Sequence, residues 1–233
     1  MSLPLIIFDC DGTLVDSEAL NLRALLDVIT GFGVTEYDLD QAYKLFTGLR
    51  FSKIIEKVTA QTGFTFPEDA GMRYRARVRK LAEAELQPIP GAYEMVEAAA
   101  RQSKICVASN GERGNVLFSL QKVGLLDLFE EQHIFTGLMV ENPKPAPDLF
   151  MLAAKELNAP AQHTLVIEDS PTGVQAGIAA GMTVWGFSGA HHDPRSQETL
   201  LMEKGAAQVF QTMTDLKEAL TMKAPQIALP QNF

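Results

Sequence analysis

Leu5-Ile6-Ile7-Phe8-Asp9-Cys10-Asp11-Gly12-Thr13 sets a short apolar run directly ahead of two carboxylates and a glycine. A run that is apolar throughout is what a central strand of a parallel sheet requires, because helices cover both of its faces. Acids two residues apart on extended chain project to the same side, so Asp9 and Asp11 are expected to face one site just past the strand. Holding like charges together is costly unless a cation or a shared proton relieves them. The pair therefore points to metal binding or acid–base work. An acidic turn would account for Asp11-Gly12 alone.

Downstream of residue 86 the chain repeats the pattern that this strand begins. Residues 104–109, 133–136, 164–168, 183–187 and 208–210 read as further strands. Between them, 93–101, 113–123, 148–157 and 171–180 carry apolar residues at helical spacing and should cover both faces of a doubly wound parallel sheet. Residues 17–86 show no strand signal. Instead 18–31, 38–47, 52–62 and 67–86 each read as a helix, broken at Gly31-Phe32-Gly33, Thr47-Gly48 and the stretch 63–67. The expected organisation is a core of residues 1–16 and 87–222 with a small helical bundle, 17–86, inserted through two adjacent linkers. The tail 223–233 contains two prolines and little periodicity, and is expected to be flexible.

Composition narrows the functional classes. With 46% hydrophobic and 21% charged residues in 233, the chain reads as a soluble globular protein. No apolar run reaches the roughly 20 residues needed to span a bilayer, and no signal peptide is visible at the start, so a cytoplasmic location is expected. Cys10 and Cys106 read as small buried thiols rather than a disulfide. A net charge of −9 argues against non-specific binding to nucleic acid. Any anionic ligand must be met by local positive charge, and the expected partner is a small phosphorylated metabolite. The expected assembly is a monomer or small homo-oligomer.

Three more strand ends carry chemical residues. The strand at 104–109 ends in Ser109-Asn110-Gly111, a hydroxyl followed by a turn whose amides can cradle an anion. Asn142-Pro143-Lys144-Pro145-Ala146-Pro147-Asp148 sets one lysine among prolines that stiffen the backbone around it. The strand at 164–168 ends in Glu168-Asp169-Ser170, and acids at a carboxyl end face the crevice where open α/β sheets bind ligands. Asp169 or Ser170 could also serve as N-cap of the helix at 171–180. Each feature alone is ordinary; together they specify a site.

Taken in order, Asp9-Cys10-Asp11-Gly12-Thr13, Ser109-Asn110, Lys144-Pro145 and Glu168-Asp169 resemble the four motifs of the haloacid dehalogenase superfamily. The inserted helices resemble the cap of its β-phosphoglucomutase-like group, which implies an α/β fold with a three-layer αβα core. Val15-Asp16-Ser17-Glu18 and the segment from Glu168 to Gly177 are similar to sugar-phosphate phosphatases of that group, which implies a substrate such as 6-phosphogluconate. The resemblance implies Mg²⁺ held by the Asp9 carboxylate, the Asp11 carbonyl and Asp169, with Glu168 ligating directly or through water. It also implies Asp9 as nucleophile, Asp11 as acid then base, Thr13 orienting Asp11, and Ser109, Asn110 and Lys144 on the phosphoryl group.

Within the superfamily, dehalogenases lack the second acid of the first motif and use no metal, so Asp11 and Glu168-Asp169 speak against that activity. The β-phosphoglucomutases carry a histidine on the first linker where Asn21 stands here, which favours water over a sugar hydroxyl as acceptor. A binding protein that kept the fold without catalysis need not preserve all four motifs. Arg50, just past the Thr47-Gly48-Leu49 turn, occupies a place where this group presents specificity residues. Arg73, Arg75, Arg77 and Arg79 alternate around a helix, and at least half are expected to be solvated or paired. His191 and His192, followed by Asp193, could suggest a metal site, but tandem histidines in such a loop are expected to be exposed.

Overall fold

The computed structural model describes residues 3–223. Six strands, β1 (Leu5–Phe8), β4 (Lys104–Ser109), β5 (Ile134–Thr136), β6 (Thr164–Glu168), β7 (Thr183–Phe187) and β8 (Gln208–Phe210), form a parallel sheet in the order β5-β4-β1-β6-β7-β8. β2 (Val15–Asp16) and β3 (Gln87–Pro88) pair as a separate two-stranded sheet. β1 lies between β4 and β6, with Phe8 opposite Val107 and Ile167. Strand order therefore reverses around β1, and ligands of such sheets bind beyond the carboxyl ends at the reversal.

Alternation within the strands makes three layers. Leu5, Ile7, Cys106, Ala108, Val166 and Val184 share one buried cluster with residues of α7 (Asp148–Glu156), α8 (Pro171–Ala179) and α9 (Pro194–Glu203). Side chains of opposite parity must face the other way, where Phe8 meets Phe129 edge to face at 6.2 Å. Packed on β4 is α5 (Ala92–Ala100), which also contacts α10 (Met213–Lys223), while α6 (Arg113–Lys122) meets β5. All four residues of β1 are fully buried, as a central strand demands.

Residues Asp16–Gln87 form one compact unit, and the described residues on either side form the other. The helical unit contains α1 (Glu18–Gly31), α2 (Leu39–Phe46), α3 (Phe51–Thr62) and α4 (Ala70–Glu85). Its core gathers Leu25, Ile29, Phe46, Ile54 and Val58. α2 starts on a capping box, Asp38 accepting from the Gln41 amide while Gln41 accepts from that of Asp38. The arginine run is mostly paired: Arg73 with Asp69, Arg77 with Asp27 and Arg79 with Glu83.

Some sequence expectations need correction. The strand expected from residue 133 begins at Ile134, because His133 closes a short 3-10 turn. The helix expected from 67 begins at Ala70. α9 and α10 are additions to the helices expected from periodicity. Asp193 caps α9 by accepting from the Ser196 amide at 3.1 Å, and Pro194 occupies its first turn, where its missing N–H costs nothing. Of the tail expected at 223–233, Lys223 closes α10 and 224–233 lies outside the described residues. Among the described residues, no helix is long and apolar enough to cross a membrane.

Candidate active site

Asp9 follows β1 without a break: its amide donates to the Ile167 carbonyl at 2.9 Å, carrying the β1–β6 pairing one residue further. Its carboxylate thus sits at the floor of a cleft lined by Asp9, Asp11, Ser109, Asn110, Gly111, Lys144, Glu168, Asp169, Ser170 and Thr172. Of the candidate site residues named from sequence, Asp9, Asp11, Ser109, Asn110, Lys144, Glu168 and Asp169 line it; Thr13 is buried against Asp169, and Arg50 is not among the lining residues. Arg50 belongs to the helical unit, exposed at the residue preceding α3.

Lys144 joins the two halves of the site. Its ammonium, 3% exposed, donates to Asp9 Oδ1 at 2.6 Å and to Glu168 Oε1 at 2.7 Å. The Phe150 ring lies 4.7 Å from Nζ and adds a cation–π contact. The Asn110 side chain holds the Lys144 main chain from both ends, Nδ2 donating to its carbonyl at 2.9 Å and Oδ1 accepting from its amide at 3.0 Å. That side chain is committed to the loop, which leaves the Asn110 backbone amide as its group for a ligand. Ser109, also buried, accepts from the Gly111 amide at 3.1 Å.

Glu168 is fixed as firmly. Oε2 accepts from the Ser170 amide at 2.7 Å and the Ser170 hydroxyl at 2.8 Å. Ser170 in turn caps α8 by accepting from the Gly173 amide at 3.0 Å. Of the two N-cap candidates seen in the sequence, Ser170 takes the role. Gly173 is required by the close approach, since a methyl group there would overlap the Glu168 carboxylate. Gly12, at φ +77°, stands against Asp169 in the same way.

Asp169 is held from three directions. The Thr13 hydroxyl, expected to orient Asp11, makes a long 3.5 Å contact to Asp169 Oδ1. His191 Nε2 lies 3.1 Å from Oδ2, and Gln197 Nε2 donates to the Asp169 carbonyl at 2.5 Å. His191 therefore departs from the exposed loop position expected of it: its side chain is only 11% exposed. The histidine is drawn in because the carboxylate offers it an acceptor. The sequence reading set His191 aside as an exposed loop residue and did not single out Gln197; the Asp193-Pro194 helix start was the signal that could have placed both near β7.

The charge balance shows what this arrangement can hold. Asp9, Glu168 and Asp169 are all buried and offer ligand oxygens within 4.8 Å of one another. Lys144 supplies one compensating charge. Burial pushes the Asp9 carboxyl well up; Lys144 opposes this, while Glu168 and Asp169 add to it. Burial likewise pushes Asp169 up to about 6, against the pull of the His191 hydrogen bond. Burial alone would lower the Lys144 pKa, but Asp9 and Glu168 outweigh it and keep the ammonium charged. Three clustered hard oxygen donors with excess negative charge suit a small divalent cation such as Mg²⁺. Asp11, exposed at the cleft, stands apart from that triad.

Known proteins share this arrangement of chain. Residues 6–187 match the haloacid dehalogenase-like hydrolase family. The 6-phosphogluconate phosphatase of Escherichia coli K12 is 36% identical over 189 residues, covering 81% of this chain and 84% of its own. A fructose-1-phosphate phosphatase of the same organism is 28% identical over 76% of this chain and 92% of its own. Among solved structures, a haloacid dehalogenase family hydrolase from Deinococcus radiodurans R1 with bound phosphate and sodium superposes at a TM-score of 0.81. It is 32% identical, over 98% of this chain and 99% of its own. The chain belongs to the haloacid dehalogenase-like hydrolases.

Proposed function

We propose that this hydrolase is a magnesium-dependent phosphatase that cleaves a small phosphorylated sugar metabolite, with 6-phosphogluconate as first candidate, through a phospho-aspartate on Asp9. The observation that carries the reading is the Asp9 carboxylate at the cleft floor, bonded to Lys144 and flanked by Glu168 and Asp169. Asp9, the Asp11 carbonyl and Asp169 would hold Mg²⁺, with Glu168 beside them. The cation would supply the positive charge that lets a carboxylate approach a phosphate dianion.

The chain's own groups do the rest. Ser109 and the Asn110 amide bind phosphoryl oxygens, and the buried Lys144 ammonium offsets the charge that develops there. Asp9 attacks phosphorus, and the bond from phosphorus to the ester oxygen breaks. Asp11 gives its proton to the leaving alkoxide. Water then attacks the phosphorus of phospho-Asp9, Asp11 takes the proton back, and inorganic phosphate leaves with Asp9 restored. The exposure of Asp11 suits a group that must exchange protons with a leaving alcohol and with water.

Asn21, partly buried in the first turn of α1, stands where the mutases of the group carry a histidine, which supports water as acceptor. The Escherichia coli relatives named as sugar-phosphate phosphatases support the substrate class. Arg50 is carried forward as the specificity candidate of the helical unit. The test is a phosphate-release screen with Mg²⁺ over 6-phosphogluconate, hexose phosphates, glycerol phosphates and nucleoside monophosphates. Release that favours a sugar or sugar-acid phosphate and stops in excess chelator is expected. Isomerised sugar phosphate without free phosphate would replace this reading with a mutase, and rates unchanged by chelator would remove the cation.

A further inference from the structure

Between β7 and α9 the chain folds back on the site. The Ser188 amide donates to the Phe210 carbonyl at 2.9 Å and the His191 amide to the Ser188 carbonyl at 3.2 Å. Capped by Asp193, α9 then begins and brings Gln197 onto the Asp169 carbonyl. The loop thereby delivers the His191 imidazole, largely buried, to within 3.1 Å of Asp169 Oδ2. None of the steps above uses His191. Facing a carboxylate, Nε2 is the donor.

The chemistry of this contact is selective. A ring N–H on Oδ2 competes for the oxygen that a cation binding both carboxylate oxygens would need in addition to Oδ1. Oδ1, met by Thr13 at a long 3.5 Å, is the better placed to ligate. Calcium readily accepts both oxygens of a carboxylate and tolerates seven or eight ligands. Magnesium demands near-octahedral geometry with single oxygens.

We propose that His191 is a positioning residue of the cation site: it holds Asp169 to one ligating oxygen and so favours Mg²⁺ over Ca²⁺. This rests on the cation site proposed above. Outer partners of ligating groups typically contribute about 10- to 100-fold to metal affinity.

The test uses the full chain freed of metal, with Mn²⁺ as probe. Free Mn²⁺ is followed by electron paramagnetic resonance, and Mg²⁺ and Ca²⁺ are titrated in as competitors. His191→Ala is expected to weaken Mn²⁺ and Mg²⁺ by about tenfold or more while Ca²⁺ binding holds or tightens, so that the Mg²⁺/Ca²⁺ preference falls. His191→Gln, which can still donate an N–H, should restore much of the preference. Thermal melts in chelator establish that both variants are folded. A preference unchanged in His191→Ala, or an equal loss for all three cations in both variants, would overturn the proposal. Asp169→Asn separates the two layers of the argument: wild-type Mn²⁺ binding in that variant would remove the cation site itself, whatever His191 does.

Discussion

Without divalent cations, raising the pH should destabilise this protein, and Asp169 sets the scale. Burial moves its carboxyl from the ordinary 3.8 to about 6. In the window between those values the folded state keeps a proton that the unfolded chain has released. The stabilisation is therefore complete below pH 3.8 and gone once the pH has climbed past about 6. At about 1.4 kcal/mol per pH unit it totals about 3 kcal/mol. About 1.4 kcal/mol of that is lost between roughly pH 5 and pH 7.5. Asp9, raised chiefly by burial, steepens the slope. In a chain of this size the Asp169 share corresponds to a Tm lower by about 3 to 6 °C. Thermal unfolding followed by circular dichroism in chelator, for the wild type and for Asp169→Asn, measures it. The variant keeps the shape but does not titrate, so the wild type should lose more by about that amount. Saturating Mg²⁺ at the higher pH should reverse the loss, since a ligand at a hundred times its Kd stabilises by about 2.7 kcal/mol. Equal pH dependence in the two proteins would refute the claim that burial of Asp169 outweighs the relief its neighbours give.

Two core substitutions and one surface substitution probe the rest. Gly173→Ala places a methyl group on the Glu168 carboxylate and should force it away from Lys144 and Ser170. The expected result is a drop in kcat of at least about tenfold, read from phosphate release. Lys144→Ala leaves Asp9 and Glu168 buried without their ammonium, and urea titration of the metal-free protein near neutral pH should show a loss of about 3–5 kcal/mol. Arg77→Ala removes a part-exposed pair with Asp27 in the helical unit and should cost no more than about 1 kcal/mol by the same titration.

Legibility in the sequence depends on which constraints are local. The sheet strands declare themselves because burial on two faces leaves little but apolar residues between helices, and 104–109, 164–168, 183–187 and 208–210 coincide with β4, β6, β7 and β8. β2 and β3 are two residues each, too short for any periodicity. The family fold was legible because Asp9, Ser109, Glu168 and Asp169 sit at strand ends; Lys144 lies further on, in the proline-rich loop between β5 and α7, and is 135 residues from Asp9. Their placement is a consequence of strand order. His191 and Gln197 lie 22 and 28 residues from Asp169 and reach it only through the fold-back after β7. A tandem histidine in a loop carries no sign of that path. Asn110 shows a subtler gap: its place in the turn proposed to hold the phosphoryl group was visible, but not its side chain's hold on the Lys144 backbone.

The nucleophile assignment is tested most directly by measuring phosphate release from Asp9→Asn beside the wild type, on the substrate the wild type prefers and with Mg²⁺ present. Turnover should fall by at least about a thousandfold, while the circular dichroism spectrum is retained. Because the substitution removes one of three clustered buried acids, the metal-free variant should also melt no lower than the wild type near neutral pH. Wild-type turnover in folded Asp9→Asn would contradict the phospho-aspartate on Asp9 and, with it, the mechanism built around this site.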